Sequence, residues 1–196
     1  MELIVISDPV CFENEPNLIN QLFAAGMSVF HLRKPELGKL AYAKLIAQID
    51  EVYHDRIALH QFHDLATYFP SIERIHYPEW LRNSTTITTM QAENALIRST
   101  SIHHLKELDQ LNEFDYTFYG PVFTSLSKPA YAGVTNTDFI LPERQNSCKI
   151  IALGGIDAGK IKQVKHMGFD GFAVLGAIWN KKKLAIENFT TLTNNH

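Results

Sequence analysis

The segment Ile150-Ile151-Ala152-Leu153-Gly154-Gly155-Ile156-Asp157, echoed by Ala173-Val174-Leu175-Gly176-Ala177-Ile178, decides the fold. Each half is a short apolar run that ends in glycine and opens a helical pattern. Runs without polar alternation suit strands buried on both faces, as in a parallel sheet. Glycine at the strand end lets backbone N–H groups approach an anion that a Cβ would hold off. Phosphate sites of (β/α)8 barrels often lie after strands seven and eight. These two units are the last strand–helix pairs of the chain, where that site would fall.

Working outward, the same strand-then-helix rhythm runs through the whole sequence. Leu3–Ser7 is a first buried strand, and Pro16 opens a helix with Leu18, Ile19, Leu22 and Phe23 on one face, ended by Gly26. Ser28–Leu32 is the second strand, and Leu37–Val52 a helix with Leu40, Leu45, Ile46 and Ile49 inward. Ile57–His60 and Arg74–His76 are strands three and four. The Thr-rich Arg82–Asn94 turns helix-like from Met90. Leu96–Thr100 is strand five, Ile102–Leu111 a helix and Tyr116–Tyr119 strand six. A long loop spans residues 120–136, and Lys149–Leu153 and Phe172–Leu175 complete the eight strands. Strands alternating with helices imply right-handed crossovers. A doubly wound open sheet shares that pattern, but eight units with glycine turns after the last two favour closure. The expectation is an α/β chain, a compact (β/α)8 TIM barrel forming a single domain over residues 1–196.

Composition narrows the function classes. The chain has 196 residues, short for a barrel fold that typically needs about 250. A net charge of −3 gives no general pull toward nucleic acid or an anionic membrane. No basic leader or long apolar segment points to secretion or a membrane span. Cys11 and Cys148 form no CxxC pair and read as reduced thiols, so a cytoplasmic location is expected.

In such barrels the chemistry sits at the carboxyl ends of the strands. Those ends hold Asp8, His31, Arg33, Lys34, His60, Gln61, His76, Ser101, His103 and Lys128. The set is rich in cations and imidazoles and poor in carboxylates, as suits a phosphorylated or anionic small molecule. Any one of these charges alone would be a solvated surface group. Any one histidine alone would be a hydrogen-bonded structural residue. Their shared rim argues for a site. His60 and His63 make an HxxH pair, but without a third ligand no metal site is expected.

Four stretches, in order, resemble the thiamine phosphate synthase and aminothiazole tautomerase superfamily: Val29-Phe30-His31-Leu32-Arg33-Lys34, Ser101-Ile102-His103, Tyr119-Gly120-Pro121-Val122-Phe123-Thr124-Ser125-Leu126-Ser127-Lys128-Pro129 and Ala152-Leu153-Gly154-Gly155-Ile156. The resemblance implies a barrel that binds a thiazole phosphate. A synthase would capture a pyrimidine methyl cation after a magnesium-bound pyrophosphate leaves. A tautomerase would only move a proton on a carboxythiazole phosphate and needs no metal. Carried over, Arg33 takes the phosphate-binding arginine's place. The next cation's place falls on Pro35, with Lys34 beside it. The family's Asn-Asp pair falls on His60-Gln61, and its second magnesium aspartate falls near Leu81, with Glu79 out of register. His31 and His76 join the substrate-binding set. Ser101, His103 and Lys128 are in place as catalytic candidates. Gly133, Gly154, Gly155, Leu175 and Gly176 complete the substrate- and phosphate-binding candidates.

Magnesium wants oxygen ligands, commonly one or two carboxylates besides the substrate's phosphates. Both carboxylates are missing here. The expectation is therefore a metal-independent, thiazole tautomerase-like enzyme with no cofactor; magnesium belongs only to the alternative, a divergent synthase. A non-catalytic phosphometabolite-binding barrel is the third reading. His103 is the proton-transfer candidate: a helix starting at Ser101 would put it in a first turn, where the dipole favours the neutral base. Small-molecule substrates are the expected partners, with no nucleic acid and no membrane, and a homodimer is left open.

Overall fold

The computed structural model describes residues 1–84, 97–124, 138–144 and 146–195. Eight parallel strands close into a barrel in sequence order: β1 (Glu2–Ile6), β2 (Val29–Leu32), β3 (Ile57–Leu59), β4 (Arg74–Tyr77), β5 (Ile97–Ile102), β6 (Tyr116–Tyr119), β7 (Lys149–Leu153) and β8 (Gly171–Val174). Closure is made by β8 beside β1, with Leu3 opposite Phe172 and Ile4 opposite Ala173.

The strand period of two divides the core. Ile4, Ile6, Val29, Tyr116, Phe118, Ile151 and Ala173 pack together inside the barrel. Their neighbours Leu3, Val5, Phe30, Leu32, Ile57, Leu59, Ile75, Tyr77, Phe172 and Val174 pack outward under the helices. Both faces are buried, so the strands read as unbroken apolar runs. Trp179 is also core: its indole N–H donates to the Ile6 carbonyl at 2.7 Å, tying the last barrel turn to β1.

The helical layer is thinner than the sequence reading expects. Residues Leu37–Val52 do not form one helix. A helix covers Lys39–Ile46 and a separate 3-10 helix covers Glu51–Arg56. Leu40 lies on the solvent side of the first, while Tyr42 is fully buried with its hydroxyl donating to the Leu32 carbonyl at 2.6 Å. A phenol that finds a backbone acceptor competes well for an inward position. Likewise, β5 runs through Ile102, and a 3-10 helix over Leu105–Gln110 succeeds it instead of the helix Ile102–Leu111. Short 3-10 connectors cost fewer residues than helices, which lets 196 residues close a barrel. A helix over Glu79–Ser84 precedes residues 85–96, so most of the Arg82–Asn94 reading lies outside the described residues. No helix among the described residues is long and apolar enough to cross a membrane.

One buried ion pair locks the β1 and β2 ends together. The Lys34 ammonium is fully buried and donates to Glu15 Oε1 at 2.5 Å and to the Asp8 carbonyl at 2.7 Å. Its backbone is clamped by the Gln61 amide, which accepts from Lys34 N at 2.8 Å and donates to Lys34 O at 2.9 Å. Removing one partner of a buried pair strands the other charge, at a cost of about 3–5 kcal/mol. Lys34→Met should therefore destabilise the chain by about that much in urea unfolding. A loss below about 1 kcal/mol would place the pair in solvent, where such contacts are weak.

Candidate functional site

The carboxyl ends of the strands form the mouth. Arg33 follows β2 there: its backbone is pinned to Ser7, whose hydroxyl accepts from Arg33 N at 2.8 Å and donates to Arg33 O at 2.9 Å. Its guanidinium is exposed and has no partner among the described residues. A positioned, unpaired arginine is suited to an oxyanion.

The turn after β7 contributes backbone at the same end of the barrel. Gly154 and Gly155 have φ of +103° and +66°. A Cβ on Gly155 would lie 2.2 Å from the Thr124 carbonyl oxygen, and one on Gly154 2.8 Å from Pro121. The two glycines are thus demanded by the Pro121–Thr124 segment pressed against them, where Val122 N donates to Leu153 O at 2.8 Å and Phe123 N to Gly154 O at 3.1 Å. Leu175 packs against the barrel interior, and Gly176 opens a one-turn helix, Gly176–Trp179. Lys128 and Gly133 lie outside the described residues.

His103 stands on the rim after β5. Its Nδ1 lies 2.9 Å from the Gly120 carbonyl oxygen. A carbonyl can only accept, so Nδ1 donates there and Nε2 is left for another partner. The Glu79 carboxylate stands 3.8 Å from that Nε2. Because β5 includes Ser101, that serine does not cap a helix, and His103 lies before the 3-10 helix instead of in a first turn. Orientation of this imidazole comes from the Gly120 carbonyl, with no help from a helix dipole.

Deeper in the barrel the structure corrects two expectations. Lys34 is no rim cation, since its ammonium is consumed by Glu15 and the Asp8 carbonyl. His31 is no rim residue either: it is fully buried, with Nδ1 2.8 Å from His60 Nε2 and Nε2 2.6 Å from the Tyr116 hydroxyl. His60 stacks on His76 with ring centroids 3.9 Å apart. His76 in turn bonds Ser99 at 2.9 Å through Nδ1 and Ser101 at 3.2 Å through Nε2. Ser101, half-buried, links this interior layer to the mouth. The HxxH spacing does not make a joint ligand pair, because His63 is turned away: its Nε2–H donates to the His76 carbonyl at 3.1 Å.

Burial, more than any neighbour, holds the pKa values of all three interior imidazoles below the ordinary range. His76 is pushed down to about 3, with smaller contributions from His63 and Arg33. His31 and His60 are lowered well below the usual imidazole value.

A cavity of about 440 Å³ opens on the layer, lined by His60, Gln61, Phe62, His63, Asp64, Trp80 and Leu81. Gln61 and Leu81, where the resemblance would place magnesium aspartates, do line one pocket. They do not fit the ion. The Gln61 amide is spent on the Lys34 backbone, and Leu81 packs into the apolar core. The nearest carboxylates are engaged too, Asp64 with Lys39 and Glu79 beside His103. Among the described residues, a hard cation would lack its charged oxygens here. A larger cavity, about 590 Å³, lies at the amino ends of the strands, away from the catalytic face of such barrels.

Sequence reasoning set Glu79 aside as out of register and missed Ser99 and Tyr116. The last was detectable as an inward position of β6, two residues from Phe118. Of the two tryptophans, Trp179 is buried and Trp80 is exposed.

Fold and mouth together define a single (β/α)8 barrel whose carboxyl face carries an unpaired arginine, an oriented imidazole and two positive-φ glycines. A family model described as thiamine monophosphate synthase matches residues 3–178, and the chain belongs to that family. The thiamine-phosphate synthase of Methanobrevibacter smithii is 24% identical over 179 residues, covering 88% of this chain and 85% of that protein. That of Actinobacillus pleuropneumoniae is 31% identical over 100 residues, so the match spans less than half of either chain, 48% and 46%. Among solved structures, thiamine phosphate pyrophosphorylase from Bacteroides thetaiotaomicron superposes with a TM-score of 0.76 at 28% identity, covering 99% of this chain and 96% of that one. The Pyrococcus furiosus pyrophosphorylase reaches the same TM-score of 0.76 at 16% identity, with 98% and 94% covered, and supports the fold alone.

The neutral imidazole layer carries a stability consequence. Unfolded histidines titrate near pH 6.5 and the folded ones lower, so between those values the unfolded chain binds more protons. Stability is then full above about pH 6.5 and falls as pH drops, by up to about 4 kcal/mol per unit if all three rings take up protons on unfolding. Urea unfolding in chelator-treated buffer from pH 7.5 to 5 should show that slope, reduced by about a third in a His31→Gln variant. A flat profile would mean that the rings are hydrated in the native state.

Proposed function

We propose that this chain moves a proton on a thiazole phosphate and needs no magnesium to do so. The observation that carries this reading is the contrast between the two sides of the mouth. On one side the positions that would hold a hard cation bear Gln61, spent on the backbone, and Leu81, packed in the core. On the other, His103 is oriented by Gly120 through Nδ1, and a carboxylate stands 3.8 Å from its Nε2.

The chemistry rests on those placements. The Arg33 guanidinium, together with N–H groups of the Gly154–Gly155 turn and of the turn at Gly176, would hold the phosphate and fix the ring. His103 Nε2 takes a proton from one atom of the thiazole ring system. The imidazolium so formed is stabilised by Glu79, whose carboxylate faces it. The same Nε2–H returns the proton at the second atom, so the step is an isomerisation with no net proton change. Ser101, beside His76, supplies a hydroxyl between the buried layer and the substrate.

The synthase reading is favoured by a different observation: the relatives matched over most of the chain bear synthase or pyrophosphorylase names. It would require the leaving pyrophosphate to be neutralised by Arg33 and Lys128 without carboxylate-held magnesium.

Two assays on the purified chain separate these readings, one tracking isomerisation of a carboxythiazole phosphate and one tracking coupling of pyrimidine methyl pyrophosphate to thiazole phosphate. Isomerisation should proceed unchanged when magnesium is omitted, and coupling should be absent. Magnesium-dependent coupling would overturn the proposal. No turnover in either assay would leave a phosphometabolite-binding barrel. His103→Ala should lower kcat for isomerisation by about 10²–10⁴ while leaving thiazole phosphate affinity within about twofold. Arg33→Ala should do the reverse, weakening thiazole phosphate binding by roughly 10-fold to 100-fold in a calorimetric titration. Unchanged affinity would remove Arg33 from the phosphate site.

A further inference from the structure

We infer that His31, His60 and His76 form a site, inside the barrel below the mouth, for one divalent transition-metal ion that favours imidazole, such as Zn²⁺. Each ring offers one nitrogen, and the three nitrogens lie within 4.8 Å of one another. They come from adjacent strands or strand ends, β2, β3 and β4, so the scaffold fixes their backbones. Three imidazoles with further positions left open is a ligand set that zinc takes in catalytic sites. It is also the opposite of a magnesium site, since hard cations want carboxylate and water oxygens.

The surroundings suit ligation. A metal-bound imidazole is normally oriented by a partner on its other nitrogen. The Tyr116 hydroxyl already stands 2.6 Å from His31 Nε2, leaving Nδ1 as the ligand atom. Ser99 and Ser101 stand at the two nitrogens of His76, so whichever coordinates, the other keeps a hydroxyl. His60 lines the 440 Å³ cavity, which gives an ion a way in and an anion a way to complete its coordination.

The required rearrangement is small. His31 Nδ1 and His60 Nε2 are 2.8 Å apart, holding one hydrogen bond between them. Two nitrogens at zinc distances of about 2.0–2.1 Å in a tetrahedral arrangement stand about 3.3 Å apart. The rings would separate by about half an ångström, exchanging that hydrogen bond for two metal bonds. His76 must also tilt out of its 21° stack on His60 so that the lone pairs converge. This site is separate from the His103 rim, and its occupancy is testable whatever the chain catalyses.

The test is calorimetric titration of the full chain, stripped of metal by dialysis against chelator, with Zn²⁺ at pH 7.5. One equivalent should bind. His31→Gln and His76→Gln should each weaken binding by at least about 100-fold, whereas His103→Ala should leave it unchanged. Because a substitution in the barrel interior can fail to fold, Co²⁺ added to the unaltered chain supplies a second readout. Intense visible bands of a four-coordinate ion, with imidazole scattering from three rings in X-ray absorption, would support the site. No zinc uptake, uptake indifferent to the ring substitutions, or a pale six-coordinate cobalt spectrum would overturn it.

Discussion

A polar ring buried inside a closed barrel must find its hydrogen-bond partners there, and several features of this molecule can be traced to that demand. His31 occupies a position that an aliphatic residue fills in an ordinary barrel layer. It is tolerated because the Tyr116 hydroxyl and His60 satisfy both of its nitrogens. His76 is satisfied by two serines. An unsatisfied imidazole here would cost about 1–3 kcal/mol, so these residues form a set in which each member is needed by another. The layer also links the strands: β2 to β6 through His31 and Tyr116, and β4 to β5 through His76 and its serines.

The mouth is built on a second constraint, the immobilisation of the strand ends. Sequence alone places Lys34 on the rim, because it stands beside an exposed arginine. The structure turns it inward, where one ammonium joins the β1 loop to the first helix. That inward turn leaves Arg33 outward, since successive residues leaving a strand point to opposite sides. Gln61 completes the clamp from the next strand end. The glycine turn after β7 works in the same way: its positive-φ residues let the Pro121–Thr124 segment lie against it, and Gly120 in that neighbourhood orients His103. Side chains on the rim are thus held by ones behind it.

The eight strands are legible in the sequence because burial on both faces leaves continuous apolar runs, and their ends differ from the structure by only a residue or two. The crossovers are less so. Leu40 and Tyr42 show why: hydrophobicity favours leucine inside, yet the tyrosine can bury its ring and still bond the Leu32 carbonyl through its hydroxyl. Ser101 shows a similar limit, since Ser-x-His after a strand reads as a helix cap, while pairing with β6 carries the strand through Ile102. Which histidines go inside cannot be read from one sequence. Inward and outward positions alternate, but the satisfaction of His31 depends on Tyr116, eighty-five positions away in the chain. Register sets Glu79 aside, and the helix after β4 brings it back beside His103.

The uncharged Gln61 and the neutral interior imidazoles have a common physical consequence. A carboxylate at position 61 would bring a negative charge to the strand ends and would need a cation to neutralise it. Glutamine there carries no charge and gives both amide dipoles to the Lys34 backbone. Imidazoles kept neutral by burial likewise add no charge to the floor. The Arg33 guanidinium is left exposed and unpaired among the described residues, while the Glu79 carboxylate is turned to His103. Other described carboxylates near the strand ends are answered by cations, Asp8 by Lys182 and Asp64 by Lys39, so negative charge there is compensated and the arginine is not.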